Sequence, residues 1–286
     1  MEFPPATWRV IYSPPASGAW NMALDEALLE ASLSGNALQG SGLPGNALPA
    51  LRLYAWEPAC LSLGYAQPVA DADRDALAAH GWDLVRRPTG GRAILHTDEL
   101  TYSVCGPQTE PRLAGSVLES YQALSQALLN ALTRLHIPAQ AHAKPGVAAG
   151  SDPKGPVCFE VPSNYEITVE GKKLIGSAQS RRKGGVLQHG SLPLYGDLTR
   201  ITRALCFTDE PARQNAARRL LERAATAEAV LGEALPWEVA ARAFESAFAE
   251  TLNLTLVRQE PSPAELARAR ELVNEKYAHP SWNERI

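Results

Sequence analysis

Apolar positions recur at helical spacing at both ends of the chain and at alternate residues through its middle, and that contrast sets the predicted elements. Residues 17–33 begin with Ser17, a capping side chain. They place Trp20, Leu24, Ala27, Leu28 and Ala31 on one helical stripe, with Asp25, Glu26 and Glu30 largely off it. Residues 34–49 repeat Gly-Asn-Ala-Leu twice among Gly, Ser and Pro. This reads as a surface loop insertion, because such composition cannot bury a core. Between Leu51 and Gln67 two β-like runs flank Glu57-Pro58-Ala59, and Asp71 to His80 predicts a short helix closed by Gly81. Asp83–Arg87 and Arg92–His96 predict strands around Pro88-Thr89-Gly90-Gly91, and Leu100–Cys105 predicts another.

The clearest helix starts at Ser116, where Glu119 completes a capping box. Its stripe is Val117, Tyr121, Leu124, Leu128, Ala131 and Leu135. Residues 144–162 are rich in Gly, Pro and Ala and carry Cys158. Tyr165–Val169 alternates strictly, Glu170-Gly171-Lys172 turns, and Lys173–Gln179 returns as the partner strand. The basic turn Arg181-Arg182-Lys183-Gly184-Gly185 leads to Val186–Leu194. The remainder reads as mostly helical, with Ser262-Pro263-Ala264-Glu265 as a further helix start. Strands in the middle and helices at both ends predict an α+β fold, a mixed β-sheet with packed helices. The chain reads as one domain, with a core over about 50–250 and a short helical appendage over about 260–286.

Composition narrows the function classes. A chain of 286 residues, 45% hydrophobic and 20% charged, has the make-up of an ordinary globular protein. A net charge of -4 argues against nucleic acid as the main partner, and no apolar run has the length of a membrane span. Met1-Glu2-Phe3-Pro4-Pro5 has neither the basic start nor the apolar stretch of a signal peptide. Cys60, Cys105, Cys158 and Cys206 form no CxxC pair, which fits a reducing cytoplasm and offers no zinc spacing, so no metal site is expected.

Three segments carry candidate chemistry. In Arg86-Arg87-Pro88-Thr89-Gly90-Gly91-Arg92 a strand runs into a Gly-Gly turn flanked by arginines. That suits an anion, or else marks a tight hairpin with solvated arginines. Cys158 sits in a Gly/Pro loop where a thiol can be exposed and activated by a nearby cation, whereas Cys60, Cys105 and Cys206 read as small core residues. Lys173 lies on an alternating strand, opposite in facing to Leu174, and reads either as functional or as a solvated strand lysine. His96 and His189 read equally as structural histidines or as bases.

Together these segments resemble the lipoate–protein ligase and octanoyltransferase family, which shares a catalytic fold with biotin–protein ligases. Asn21-Met22-Ala23-Leu24-Asp25-Glu26-Ala27-Leu28 looks like that family's first helix. The segment from Arg86 to His96 looks like its acyl-binding loop. Gly171-Lys172-Lys173-Leu174-Ile175-Gly176-Ser177-Ala178-Gln179 is similar to its lysine strand, and Gln188-His189-Gly190-Ser191-Leu192 to the strand that follows. Cys158-Phe159-Glu160-Val161-Pro162-Ser163 resembles the loop of the LipM-type octanoyltransferases, whose cysteine carries the acyl group. Arg92 stands where the ligase branch usually has a third glycine, and the C-terminal accessory domain usual in ligases has no counterpart after Trp282-Asn283.

The resemblance implies Cys158 and Lys173 as catalytic residues. It implies Arg87, Thr89, Gly90, Gly91, Arg92, His96, Gly176, Ser177, Ala178 and His189 as substrate-binding residues. It implies no cofactor, an octanoyl-acyl carrier protein as donor, and a lipoyl domain or glycine cleavage system H protein as acceptor. Its rivals are an ATP-dependent lipoate ligase, an amidotransferase between lipoyl domains, and a non-catalytic carrier-binding protein.

Overall fold

The computed structural model describes residues 2–33, 48–143 and 165–286. Residues 34–47 of the predicted insertion, and Cys158, lie outside them. Among the described residues, eight strands form one sheet. They are β1 (Ala6–Tyr12), β2 (Ala50–Tyr54), β6 (Glu99–Pro107), β7 (Gln140–Ala143), β8 (Tyr165–Val169), β9 (Lys172–Arg182), β10 (Gly185–Pro193) and β11 (Leu254–Arg258), in the order β11-β1-β2-β6-β10-β9-β8-β7. The β11-β1-β2 edge is parallel and the rest antiparallel, the mixed sheet expected. A second, three-stranded sheet consists of β3 (Cys60–Leu63), β4 (Asp83–Arg86) and β5 (Ile94–His96).

Alternation along the central strands sends side chains to two helical layers. Trp8, Val10, Leu51, Leu53, Tyr102 and Val104 enter one core with α3 (Val117–Arg134) and α6 (Trp237–Thr251). Ile11, Ala50, Tyr54 and Cys105 enter the other, with α1 (Gly18–Leu33) and α7 (Pro263–Leu272). The capping box at Ser116 forms as predicted, and Leu124, Leu128 and Ala131 of α3 are fully buried. Burying each of those leucines contributes about 1.5–3 kcal/mol. Val117 departs from the predicted stripe: it is 51% exposed, in a first turn of α3 where Leu118 is exposed as well.

The core reaches beyond residues 50–250. At one end β1 and α1 are largely buried; at the other, Glu265 of α7 forms a bidentate pair with Arg9, at 2.6 and 3.0 Å, with both side chains buried. The strands β1, β7 and β11 were not predicted. In β1, Trp8, Arg9 and Val10 are all inaccessible, so burial on both faces erases the alternation that marks a strand.

The two basic or acidic hairpin turns match their sequences. Glu170 and Gly171 take φ of 50° and 78°, and Lys183 and Gly184 take 50° and 79°, the left-handed pairs of two-residue hairpins. Lys172, expected in the turn, is the first residue of β9. A register shift at Ile167/Thr168 adds one residue to β9, so Leu174 and Ile175 both enter the core beside the α3 layer.

Candidate active site

The two sheets meet at a cavity of about 660 Å³, within the usual range for small-molecule sites. Met22, Tyr54, Trp56 and Ile94 supply much of its apolar wall. On its other side β9 and β10 pair with Ser177 opposite Gly190 and Ala178 opposite His189. A Cβ on Gly190 would lie 2.5 Å from Ser177 Oγ and 2.6 Å from the Gly176 carbonyl oxygen. Only glycine lets this wall close up.

The structure brings most of the predicted residues to this cavity. Arg87, Gly90, Gly91, Arg92 and His96 line it from the small sheet; Lys173, Gly176, Ser177, Ala178 and His189 line it from the large one. Thr89 is buried behind His189, its Oγ1 2.7 Å from the imidazole Nε2, and it is not part of the lining.

The Gly-Gly turn differs from both readings of it. The strands β4 and β5 do not form a hairpin, because β3 lies between them, parallel to β4 and antiparallel to β5. Nor do Arg86 and Arg87 stand as solvated anion ligands. Arg86 is fully buried and donates to the carbonyls of Gly64, Gln67, Trp282 and Asn283. Arg87 donates to the carbonyls of Ser62, Gly90 and Arg92 at 2.9, 2.8 and 2.7 Å. Buried carbonyls need donors, and here guanidinium forks supply them where a ladder of strand bonds is absent. Arg87 thereby shapes the turn, in which Gly91 takes a left-handed φ of 93°.

Two histidine–carboxylate pairs stand behind the cavity wall, and the sequence reading found neither carboxylate. Glu99 Oε1 is 2.7 Å from His96 Nδ1, and Ser62 Oγ is 2.8 Å from His96 Nε2. Arg87 donates to the same Ser62 oxygen at 3.2 Å. Trp56 stacks on the ring at 3.9 Å. Both His96 nitrogens are therefore occupied, which fits an orienting role better than a base. Burial pushes the Glu99 carboxyl up, but His96, Thr101 and Ser191 outweigh it and hold the group below its ordinary value.

Asp25 is also wholly buried, although the helical pattern placed it off the apolar stripe. It accepts from Arg52 at 2.8 Å, Ser103 at 2.7 Å and Tyr54 at 3.0 Å, and its Oδ2 lies 3.8 Å from His189 Nδ1. Burial raises its carboxyl and Arg52 and His189 lower it, with a net downward shift. For His189 burial dominates and pushes the imidazole below its usual value. Asp25 opposes that shift, and Arg87 and His96 add to it. His189 thus faces the cavity as a neutral ring at neutral pH.

Lys173 is 5% exposed, while Lys172 beside it is exposed, the opposite facing that strand alternation predicts. Lys173 Nζ lies 3.5 Å from Glu166 Oε1 on β8, a third carboxylate the sequence reading missed. Cys60 and Cys105 are buried, as expected, and burial pushes both thiols up; neither lines the cavity. Cys206 is exposed rather than buried, on the segment between the 3-10 turn Leu198–Arg203 and the helix Glu210–Arg223; it too is away from the cavity.

Residues 17–249 match the family described as the Lipoyl protein ligase A/B catalytic domain. The chain belongs to that family. Octanoyltransferase LipM of Lysinibacillus sphaericus is 39% identical over 97% of this chain and 98% of its own length. Octanoyltransferase LipM of Bacillus subtilis is 36% identical, again over 97% and 98%. Kinship at this level makes the chain an acyltransferase. A bipartite lipoate protein ligase from Thermoplasma acidophilum superposes with a TM-score of 0.77 at 25% identity, covering 98% of this chain and 96% of that one. A lipoate-protein ligase A bound with ATP shares the fold, with a TM-score of 0.76 at 23% identity over 97% and 98% of the two chains.

Proposed function

We propose that this enzyme moves an octanoyl group from an acyl carrier thioester to a lysine of lipoyl domains or the glycine cleavage H protein, through a thioester on Cys158. The observation that carries this reading is near-full-length identity of 36–39% to octanoyltransferases, against 23–25% to the solved ligases. The chemistry agrees. Exchange between two thioesters is close to balanced and needs no ATP, and attack by an amine then converts the thioester to a more stable amide. An eight-carbon chain in an apolar cavity gains about 0.8 kcal/mol per buried methylene, roughly 6 kcal/mol in all before costs. The acyl loop supports the same view, since carbonyls take up the Arg86 and Arg87 donors that a nucleotide phosphate would want. None of the described cysteines lines the cavity, which supports Cys158 as the thiol for the acyl-enzyme.

In this reading Cys158 attacks the donor carbonyl and expels the carrier thiol. Lys173, on the cavity wall, stabilises the thiolate and later assists loss of a proton from the incoming amine. The test uses octanoyl carrier protein and a lipoyl domain, with and without ATP, followed by intact-protein mass spectrometry. The expected result is transfer without nucleotide and one hydroxylamine-sensitive octanoyl group on Cys158. Strict ATP dependence with an accumulating adenylate would instead make this a ligase.

A further inference from the structure

Beside the cavity mouth, cations gather around one tyrosine. The Tyr65 N–H donates to the Thr89 carbonyl at 2.8 Å, and the residues that follow, Ala66, Gln67 and Pro68, line the cavity. The Arg285 guanidinium lies 3.6 Å from the Tyr65 ring centre and donates to the Tyr65 carbonyl at 2.6 Å. The Arg182 guanidinium lies over the same ring at 4.3 Å, and buried Arg86 reaches the same carbonyl at 3.4 Å. Trp282 packs edge-on against Tyr65 at 5.9 Å and carries Lys276 at 4.3 Å from its own ring.

Among the described residues this charge is not answered locally. Among the described residues no carboxylate lies within ion-pair distance of Arg182 or Arg285. Of the nearby acids, Glu26 is taken by Lys276 and Tyr277, and Glu284 by Arg74. Arg285 Nε is shielded from solvent and has no acceptor among the described residues. Hydrogen bonding by Arg285 and then Arg182, ahead of their charge, holds the Tyr65 hydroxyl below the ordinary phenol value. Because the whole chain carries a net charge of -4, the cluster is not a by-product of composition. Like charges held together are costly unless an anion completes them, and two guanidinium forks suit a phosphate.

We propose that Tyr65, Arg182 and Arg285 form an anion site for the phosphate of the acyl donor's thioester arm. The proposal rests on the donor being a thioester, as in the preceding section. A donor with an apolar acyl chain at one end and a phosphate at the other matches an apolar cavity with a cationic rim, and sets the thioester between the two. The shared chemistry is a phosphorylated thiol arm, whether free or attached to a carrier.

The experiment compares acylation of Cys158 by octanoyl-pantetheine, octanoyl-phosphopantetheine and octanoyl carrier protein, scored as kcat/KM by mass spectrometry. In the native enzyme the phosphorylated free arm is favoured about tenfold or more over the unphosphorylated one, the scale of a charge-assisted contact. In Arg182→Gln, an exposed position, that ratio falls severalfold, and with Arg285→Gln added it falls to about one, with the carrier-bound donor losing in parallel. An unchanged ratio in both variants overturns the anion site. So does a loss confined to the carrier-bound donor, which would mean that the arginines read the carrier's body. Failure of every thioester donor with the native enzyme sinks this inference together with the proposed function, whereas a failure of the ratio alone sinks only the anion site.

Discussion

Removing the Asp25 carboxylate tests whether the wall behind the cavity depends on buried charge. Asp25 and Arg52 are both inaccessible, and Asp25→Ala would leave Arg52 only neutral acceptors on Ser13 and Asn21 while taking the carboxylate from Ser103 and Tyr54. An uncompensated buried guanidinium costs about 3–5 kcal/mol. For a chain of 286 residues the unfolding entropy corresponds to about 0.6 kcal/mol per degree. The melting temperature is therefore expected to fall by about 5–8 °C. The comparison is Glu210→Ala, which removes a surface pair with Arg213 whose side chains are 57% and 36% exposed. That pair is worth about 1 kcal/mol or less, which corresponds to less than about 2 °C. Differential scanning calorimetry of both variants measures the contrast. A shift for Asp25→Ala no larger than that for Glu210→Ala would refute the argument that this ion pair is locked in by desolvation.

Two further outcomes are expected. Lys173→Ala should lower octanoyl transfer by about a hundredfold or more, whereas Lys172→Ala should stay within about twofold, since only Lys173 faces the cavity. Equal losses in single-turnover assays of the two variants would remove Lys173 from the mechanism. For pH, the His189 imidazole sits below its ordinary value of 6.5 in the folded protein, so the unfolded chain binds the proton more readily. Its contribution to stability is complete above 6.5 and is lost as pH falls from there through the folded value. The lowered Asp25 and Glu99 carboxyls act later, losing their contribution as pH falls through the ordinary carboxylate range towards their lowered values. Melting temperatures recorded downward from neutral pH should therefore slope less steeply in His189→Asn than in the native protein, and parallel slopes would contradict this account.

What the sequence determined by itself was whatever local pattern can encode. The capping box at Ser116, the glycine turns at Gly171 and Gly184, and the opposite facing of Lys172 and Lys173 all follow from near neighbours, and all hold in the fold. The same holds for the ordered motifs that brought Gly90, Gly91, Gly176, Ser177 and His189 to one cavity. The tertiary structure decided what depends on distant partners. Asp25 looked like a solvent-facing helix residue because its partner Arg52 lies on another element, and α1 is covered on more than one side. The strand β1 escaped notice because burial on both faces leaves no alternation to read. Arg86 and Arg87 looked like anion ligands because sequence shows a guanidinium's charge but not the buried carbonyls that need its hydrogens. Glu166 and Glu99 acquire their meaning only when strand register sets them beside Lys173 and His96, since a periodic pattern reports which side is buried and never which residue waits there.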